Sequence, residues 1–345
     1  MHGLPDKITS EDQLEELLSS PGDEAVAMFS RLDGDIMFLG VSGKIGPSLA
    51  RMAKRACNEA GVKKRIIGVS LFESPEHRKK LENMGIETIH GDLLDTEVMK
   101  SLPLVKNVFF LAGMKFGSVD NLSLTWAVNS YLPALVAEHF RQSRIVAFST
   151  GCVYPLVPVK SGGSKETDIP EPVGEYAQSC LGRERMFEYG SNKYKTPVSL
   201  IRLNYSVELR YGVLVDIALK VMNRQQVDLA MGYFNVIWQG DVNDFVLRSL
   251  EHATSPTWIL NITGPEILSV REVAQKFAKL LSVDVEFTGK ESDTALLNNS
   301  QMAHRMFGLP RVSTDRVMNW IAGWLKEEGK ILGRPTHFEV RDGKY

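Results

Sequence analysis

The sequence contains few cysteines, no excess of charge of either sign and no long apolar run. Its 345 residues include three widely separated cysteines, Cys57, Cys152 and Cys180. An odd, scattered set argues against a disulfide framework and is typical of proteins from a reducing compartment. The formal net charge is -2, and basic and acidic residues are mixed along the chain. This balance gives no indication of binding to nucleic acid or to anionic lipid.

Targeting and membrane-spanning patterns are also missing from the sequence. The first residues, MHGLPDKITSEDQLEELL, are acidic and contain no continuous apolar stretch, so they do not read as a secretory signal. No later run approaches the roughly 20 apolar residues that a membrane-spanning helix needs. We therefore expect a cytoplasmic protein with no membrane and no nucleic-acid partner, and we predict no metal site.

A short helix is predicted in the N-terminal extension, residues 1–34. Ser10 is a potential N-cap, and Leu14, Leu17 and Leu18 form an apolar stripe at helical spacing. Such a helix is typical of an extension that packs against the edge of a main domain.

From Asp35 onward, short apolar runs alternate with helix-like segments. The runs are DIMFLG, RIIGVSLF, GIETIHGD, NVFFLAG, RIVAFST and PVSLIRLNY. Continuous apolar strands that alternate with helices predict a parallel sheet covered on both faces. We therefore predict an α/β fold with a Rossmann-like doubly wound parallel sheet over residues 35–205. Residues 206–345 are predicted to form mainly a smaller substrate-binding region and a C-terminal tail, although later strands can return to the sheet.

A glycine-rich turn follows the first predicted strand. Gly40, Gly43 and Gly46 have GxxGxxG spacing, and a helical pattern begins at once. The first glycine permits a tight turn, the second lets the backbone approach a pyrophosphate, and the third allows close packing of helix on strand. The helix N-terminus then offers unsatisfied N–H groups to phosphates. In this context the turn predicts dinucleotide binding.

Taken together, these motifs resemble the extended short-chain dehydrogenase/reductase family of NAD(P)-dependent sugar epimerases, dehydratases and reductases. The resemblance covers about residues 35–324 and includes GVSGKIG, HGDLLD, FLAGMKFG, WAVNSYLPALV, QGDVNDFVLRSLE and LNITGPEILSVREVA. It implies that the following residues bind the cofactor: Gly40, Ser42, Gly43, Lys44, Ile45, Gly46, Ser70, Asp92, Leu93, Leu111, Ala112, Gly113, Lys115, Asn129 and Tyr176.

The end of the second strand departs from the NAD-preferring members of that family, which carry an aspartate there. Ser70 occupies the position. Serine removes the repulsion against a 2′-phosphate and can donate a hydrogen bond to it, which slightly favours NADP over NAD. Lys44, His77 and Arg78 are candidate phosphate partners. The alternative is that Ser70 is only a neutral strand end.

Catalytic residues are implied by FSTGCVY and by the helix that contains Tyr176. The resemblance places Thr150, with Ser149 beside it, at a substrate oxygen. It assigns Tyr176 to proton exchange with the substrate hydroxyl while a hydride moves to or from nicotinamide. Without the resemblance, Thr150 would be an ordinary strand residue and Tyr176 an ordinary packing residue.

Cys180 stands where the family's Tyr-x-x-x-Lys motif has its lysine. That lysine binds the nicotinamide ribose and lowers the pKa of the tyrosine, and cysteine supplies no such charge. Lys115, Arg183 and Arg185 are the candidates for a replacement charge. Cys180 itself is either a small buried hydrophobe or a nucleophile.

The substrate region contains no arginine-rich loop for a substrate pyrophosphate. Arg210 and Arg224 are its main basic residues between Tyr205 and Gly240, which favours a small sugar, sugar acid or polyol. The polar tail GRPTHFEVRDGKY could bring His337 to the site, but a surface tail is the preferred interpretation.

Three hypotheses follow for function. The first is an NAD(P)-dependent oxidoreductase or epimerase that acts on a hydroxyl or ketone of a small carbohydrate. A nucleotide sugar is the alternative substrate, and a catalytically inactive NAD(P)-binding regulatory or scaffold protein is the alternative function. The resemblance also implies a homodimer through the helices of Asn129 and Tyr176, with Leu132 and Val136 among the contacts.

Overall fold

A parallel sheet lies at the centre of the computed structural model, which describes residues 3–115, 117 and 120–344. In chain order the strands are β1 (Ile36–Leu39), β2 (Ile66–Ser70), β3 (Glu87–His90), β4 (Asn107–Phe110), β5 (Arg144–Thr150), β6 (Val157–Pro158), β7 (Val198–Leu203), β8 (Ser206–Val207), β9 (Val227–Asp228), β10 (Tyr233–Phe234), β11 (Ile237–Trp238), β12 (Trp258–Ile262), β13 (Leu268–Ser269), β14 (Phe287–Thr288) and β15 (Thr294–Ala295).

Within the described residues, seven of these strands form the central sheet, in the order β12-β7-β5-β4-β1-β2-β3. Every pairing in it is parallel. The chain leaves β1 towards β2 and β3, then crosses back to β4 on the other side of β1. This reversal opens a crevice at the carboxyl ends of β1 and β4, where doubly wound sheets bind ligands. The predicted Rossmann-like α/β fold is confirmed.

Helices cover both faces of the sheet. They are α1 (Glu11–Leu18), α2 (Asp23–Arg31), α3 (Gly46–Glu59), α4 (Pro75–Asn83), α5 (Thr96–Ser101), α6 (Leu122–Trp126), α7 (Leu132–His139), α8 (Gly174–Tyr194), α9 (Val213–Met222), α10 (Gln239–Arg248), α11 (Val270–Leu281), α12 (Gln301–Phe307) and α13 (Thr314–Lys326). One apolar cluster joins α2, α3 and α10 to one face, and a second joins α5, α7 and α8 to the other. A π-helical turn, Ala127–Tyr131, links α6 to α7.

The N-terminal extension contains two helices and docks on α10. The Ser10 hydroxyl caps α1 by accepting a hydrogen bond from Gln13 N at 3.1 Å. The Leu18 carbonyl accepts from Asn243 Nδ2 at 2.9 Å, and Gly22 N donates to the Asp244 carboxylate at 2.8 Å. The extension is therefore fixed by polar contacts as well as by its apolar stripe, which buries Leu14 and Leu18.

The C-terminal part forms a third apolar cluster and also completes the sheet. Helices α9, α11 and α13 pack around that cluster with most of the two-residue strands. Strand β12 returns to the central sheet and pairs with β7. Beyond α13 the chain has no regular secondary structure through residue 344 within the described residues.

Candidate functional site

The turn between β1 and α3 is shaped by two of its three glycines. Gly40 has a φ of +84°, and a Cβ there would lie 2.6 Å from Ala112 N. A Cβ on Gly46 would lie 2.1 Å from the Val41 carbonyl oxygen. Any side chain at these two positions would collide with backbone, so the fold itself requires glycine there.

Gly43 differs from the other two glycines because space is open beside it. A Cβ there would meet only the Gly40 carbonyl oxygen, at 3.5 Å, among the described atoms within 4 Å. Ser42 and Gly43 are both exposed. Helix α3, which has 14 residues, begins three residues later, so the positive end of its dipole lies beside this loop; Gly46 N already donates to the Gly43 carbonyl at 3.1 Å, and Pro47 has no N–H. The loop therefore offers an accessible, electropositive backbone surface that fits a pyrophosphate.

Lys44 extends from this turn into the protein interior. Its amine is buried, has no hydrogen-bond partner in the described part of the chain, and lies 4.8 Å from the ring centroid of Tyr211. Burial lowers the pKa of this amine to about 8, with the Glu208 carboxylate opposing the shift. Oxygen Oε1 of Glu208 is likewise buried without a hydrogen-bond donor among the described residues. A buried amine lacking an acceptor is costly unless a ligand supplies one.

At the other end of the loop, two hydroxyls meet. Ser70 is buried at the end of β2, and its hydroxyl is hydrogen-bonded to that of Ser42. Arg78, one candidate phosphate partner, is instead bound to Glu82 at 3.0 Å and to the Thr88 hydroxyl at 2.8 Å. Lys44 lies by Tyr211, and His77 is exposed on α4. Within the described residues, none of these three candidate cations forms a hydrogen bond with Ser70.

Asp92 and Leu93 occupy the turn after β3. The Asp92 carboxylate accepts a hydrogen bond from Leu94 N at 2.9 Å, and Leu93 is buried in the core. Asp92 is exposed to solvent, and its side chain stabilises the turn through the hydrogen bond to Leu94 N.

The side chain of Asn129 holds the segment after β4 in place. The Asn129 amide is fully buried; its Oδ1 accepts from Met114 N at 2.9 Å, and its Nδ2 donates to the Met114 carbonyl at 3.0 Å. Leu111 N donates to Leu39 O at 2.8 Å, which ties the same segment to β1. Leu111, Ala112 and Gly113 therefore follow the carboxyl end of β4, with Ala112 beside Gly40, and their role in cofactor binding stays a prediction.

Arg183 places a buried positive charge beneath this segment. Its guanidinium donates to Asn129 Oδ1 at 2.7 Å and to the Phe148 carbonyl at 2.8 Å. A Cβ on Gly113 would lie 2.6 Å from Nη2. Both acceptors are neutral, and no carboxylate accepts from Arg183 among the described residues. Because no carboxylate in the described part of the chain neutralises it, the Arg183 charge lowers the pKa of the nearby Tyr176 and Cys180 and so opposes the effect of burial on both groups.

Tyr176 and Cys180 lie one turn apart on α8, where Cys180 is fully buried and Tyr176 is half-buried. Burial raises the pKa of the Tyr176 phenol well above its ordinary value, the neighbouring Cys180 and Cys152 raise it further, and Arg183 opposes them. Burial also raises the pKa of the Cys180 thiol to about 11. Cys180 packs with Val153 in a small apolar cluster. Both groups therefore hold their protons at neutral pH.

The two hydroxyls at the end of β5 have different surroundings. The Thr150 hydroxyl accepts from Cys152 N at 3.1 Å, which fixes it at the strand end next to the Tyr176 cluster. The Ser149 hydroxyl donates to the Glu184 carboxylate at 2.5 Å, and that carboxylate pairs with Arg202 at 2.7 Å. Ser149 thus belongs to a buried ionic network beneath the site.

The C-terminal tail packs against the site, so the expectation of a surface tail is wrong. Lys115 Nζ donates to the Thr336 carbonyl at 3.1 Å, and the Thr336 hydroxyl donates to Asp216 at 2.6 Å. Phe338 is buried, while His337 between them is exposed. Burial of apolar Phe338 and the polar contacts of Thr336 explain why this polar-looking segment is anchored.

Neither basic residue noted in the substrate region faces the crevice. Arg210 is held by Glu15 at 2.8 Å, Glu208 at 3.1 Å and Glu11 at 3.4 Å. Arg224 follows α9 and lines a groove beside α11. Tyr211, Asp216 and Thr336 were not identified from the sequence, because each is an isolated residue outside any motif. Their proximity to Lys44 and Lys115 arises only from tertiary packing.

The structure offers neither a metal cluster nor a membrane-spanning helix within the described residues. No group of three or more His, Cys, Asp or Glu side chains with metal-binding geometry occurs within the described residues. No helix in that part of the chain combines the length and apolar character needed to span a membrane.

Comparison with known proteins identifies the fold through solved structures. Neither a protein-family model nor a curated protein matches the sequence. A dTDP-glucose 4,6-dehydratase from Streptomyces venezuelae, solved with NAD and TYD, is similar with a TM-score of 0.70 and 18% identity, covering 85% of this chain and 97% of that one. A UDP-glucose 4-epimerase from Thermotoga maritima, solved with UDP-glucose, gives a TM-score of 0.70 at 16% identity, covering 85% and 99%. A UDP-glucuronic acid 4-epimerase mutant from Bacillus cereus gives 0.69 at 14%, with the same coverage. The chain therefore has the fold of these epimerases and dehydratases, as the resemblance implied.

Proposed function

We propose that this protein is an NAD(P)-dependent oxidoreductase or epimerase that acts on a hydroxyl or ketone of a small carbohydrate. The observation that carries the proposal is the open surface at Gly43 together with the buried Lys44 amine that extends from the same turn. The turn and the amine supply backbone donors and a cation for a pyrophosphate, in the crevice where doubly wound sheets bind dinucleotides.

Several residues of this chain fit a bound dinucleotide. Backbone donors of Ser42 and Ile45 would hold the pyrophosphate, with Lys44 as counter-charge, and Leu111 to Gly113 would lie along the cofactor. Gly43 would contribute the open space beside it, because its own N–H already donates to Gly40 O at 3.2 Å. A nicotinamide ring held there would supply hydride exchange. Asn129 fixes the segment that carries Lys115, and Arg183 adds a positive charge below it.

Proton transfer is assigned to Tyr176, with Thr150 orienting the same substrate oxygen. Because the pKa of the phenol is raised well above its ordinary value, Tyr176 is protonated at neutral pH. It is therefore ready to donate a proton to the oxygen of a ketone, which favours the direction of reduction. Acting as a base would first require loss of that proton, so oxidation should become faster as pH rises.

A small substrate is favoured over a nucleotide sugar. The structural neighbours named above were solved with nucleotide-sugar ligands or nucleotides. In this chain, however, Arg210 is neutralised by three glutamates and Arg224 lies on another surface. Neither arginine is available for a substrate diphosphate. We therefore retain the nucleotide sugar as the alternative substrate.

NADP is proposed to bind at least as well as NAD. Ser70 and Ser42 present neutral hydroxyls where a carboxylate would repel a 2′-phosphate. Calorimetry with both dinucleotides tests this preference, and Ser70→Asp should shift it towards NAD. Clear NAD preference in the unmodified protein would contradict the proposal.

An inactive NAD(P)-binding regulatory or scaffold protein is the second candidate, and one observation favours it. Cys180 brings no charge to Tyr176, and the two thiols beside the phenol raise its pKa further. The decisive experiment measures dinucleotide binding first, then redox exchange against a panel of aldoses, ketoses, polyols and sugar acids at neutral and alkaline pH. Binding without exchange supports the scaffold. Exchange that Tyr176→Phe abolishes while cofactor binding persists supports the enzyme.

A homodimer is proposed through the face formed by α6 and α8. Leu132 and Val136, which the sequence placed in that interface, are instead buried within the subunit core. Large apolar side chains remain exposed on α6, on the π-helical turn and on α8: Leu122, Leu124, Trp126, Tyr131 and Tyr189. Light scattering at micromolar concentration tests the dimer, and Tyr131→Glu should dissociate it. A monomeric unmodified protein would exclude it.

A further inference from the structure

The side-chain amide of Asn298 is buried without hydrogen-bond partners. Asn298 is 1% exposed, and neither its Oδ1 nor its Nδ2 has a partner among the described residues. Leaving one buried polar atom unsatisfied costs about 1–3 kcal/mol, and here both ends of one amide are affected. Such a group calls for a specific explanation.

The position of this amide is fixed by its backbone. The Asn298 carbonyl accepts from Asn235 Nδ2 at 3.0 Å, and Asn298 pairs with Ser164 in a parallel bridge. That bridge is flanked by two hydrogen bonds of 2.8 Å, from Ser164 N to Leu297 O and from Asn299 N to Ser164 O. The amide is thus held in place by contacts that do not involve its own polar atoms.

Its location is beside the proposed catalytic residues. A Cβ on Gly151 would lie 2.7 Å from Asn298 Oδ1 and 2.9 Å from Nδ2, so the amide lies against the backbone that directly follows Thr150. Leu296, two residues earlier, packs in the cluster that contains Tyr176. On another side, Asn298 contributes with Asn235 and His304 to the wall of a cavity of about 480 Å³ beyond the carboxyl end of β12, which Thr150 and Tyr176 do not line.

We propose that the Asn298 amide binds neutral hydroxyl groups of the substrate, one donating to Oδ1 and one accepting from Nδ2. The proposal rests on the proposed function and specifies its substrate. An amide presents one acceptor and two donors side by side, which matches neighbouring hydroxyls of a sugar. A carboxylate or phosphate has acceptors only, so it would leave Oδ1 unsatisfied and in contact with a negative oxygen. Asn298 therefore selects a neutral polyhydroxylated group at this position.

A stability measurement distinguishes a ligand-binding amide from a structural one. Asn261 is a matched control, because it is fully buried and its amide donates to Ser164 O at 2.9 Å and to Asn299 O at 3.1 Å while accepting from the Tyr154 hydroxyl at 3.0 Å. Asn298→Leu should raise the melting temperature of the ligand-free protein, because an unsatisfied polar group is replaced by an apolar group of similar shape. Asn261→Leu should lower it. If Asn298→Leu also lowers it, the amide is satisfied structurally, for example by water, and the proposal is overturned.

A binding measurement tests the ligand class. D-glucose, D-galactose and D-xylose are titrated against the protein, alone and with NADP or NAD, by calorimetry. At least one should bind, and Asn298→Leu should weaken it about tenfold or more, because the hydrogen bonds to the amide are lost. Unchanged affinity in the variant, or no binding of any neutral sugar to the unmodified protein, overturns the proposal. If a sugar binds through Asn298 but neither dinucleotide binds, the proposed oxidoreductase function fails and the sugar site remains.

Discussion

The two ends of the crevice differ in how they would bind and react. The cofactor end, at Gly43 and Lys44, is accessible and depends on backbone donors and one buried cation. The proposed catalytic end combines the fully buried Cys180 with the half-buried Tyr176, and the pKa of the Tyr176 phenol is raised. A site made of backbone tolerates sequence change, whereas proton chemistry depends on the charge at single side-chain positions.

Not every glycine of the cofactor loop is informative about ligand binding. Gly40 and Gly46 are required by backbone contacts within the fold, so they would persist in a protein that binds nothing. Gly43 has space beside it, and Lys44 has a buried amine that no contact within the described chain satisfies. The proposal of a bound dinucleotide therefore rests on Gly43 and Lys44. Substitutions at these residues and at the structural glycines should have different effects on binding and on stability.

The largest effect is expected from Gly46→Val. The new side chain would start 2.1 Å from the Val41 carbonyl oxygen, so α3 would have to move away from β1. We expect a loss of soluble folded protein, or a large fall in melting temperature measured by circular dichroism. A stable variant with unchanged spectra would contradict the contact.

Gly43→Ala is the matched control at the same loop. Its Cβ would meet only the Gly40 carbonyl oxygen at 3.5 Å among the described atoms within range, so the melting temperature should change little. Dinucleotide binding should weaken, because the methyl group occupies the surface that the pyrophosphate would approach. Equal effects of the two substitutions on stability would remove the distinction between structural and ligand-facing glycines.

A smaller but still large effect is expected from Arg202→Met below the catalytic end. Arg202 is bonded to the buried Glu184 carboxylate, which in turn accepts from the Ser149 hydroxyl. Removing one partner of a buried ion pair leaves an uncompensated charge, at a cost of about 3–5 kcal/mol in unfolding free energy. Denaturant unfolding measures this loss. The double variant Glu184→Leu with Arg202→Met should recover part of it; no recovery would mean that packing, and not charge, dominates.

Dinucleotide binding should depend on pH because of Lys44. Burial lowers the pKa of its amine to about 8, so above that pH the amine is mostly neutral in the ligand-free protein. A bound phosphate would raise the pKa, so binding should take up as much as one proton per site, and affinity should fall as pH rises through about 8. Calorimetry in two buffers of different ionisation enthalpy measures the uptake. Lys44→Met should abolish it, and equal uptake in that variant would contradict the role of Lys44.

The sequence predicted the fold and the tight glycine turn after β1 because both depend on local patterns. Apolar runs that alternate with helices specify a parallel sheet, and glycine spacing after β1 specifies a tight turn. The short strands β6, β13 and β15 and the second helix of the N-terminal extension, α2, were not predicted from such patterns. Their boundaries follow from packing around clusters that assemble distant segments.

The surroundings of the proposed catalytic residues could not be predicted in the same way. Arg183 lies seven residues after Tyr176, which suggested only a shared helix face, but its contacts with Asn129 and Phe148 come from other elements. The Thr336 contact with Lys115 joins residues 221 positions apart. Asn298 belongs to no sequence motif, and only the folded chain shows that its buried amide has no hydrogen-bond partner among the described residues.

The smallest effect is expected from Cys180→Ala, which sharpens the question of what cysteine does at the catalytic end. The thiol is fully buried and packs among apolar side chains, so its loss should cost about 1 kcal/mol in unfolding free energy. If the thiol only packs, redox activity should be little changed, whereas a severe loss of activity in a folded variant would indicate direct cysteine chemistry.

The pH dependence of stability gives a second test of Cys180. The folded-state pKa of Cys180 is raised from 9.0 to about 11, so the folded protein holds this proton more tightly, and the associated stability is lost as pH rises from about 9 to about 11. The variant has no thiol at this position, so its deficit relative to the unmodified protein should narrow across that window. Parallel stability curves would show that the thiol is less well shielded from water than its packing indicates.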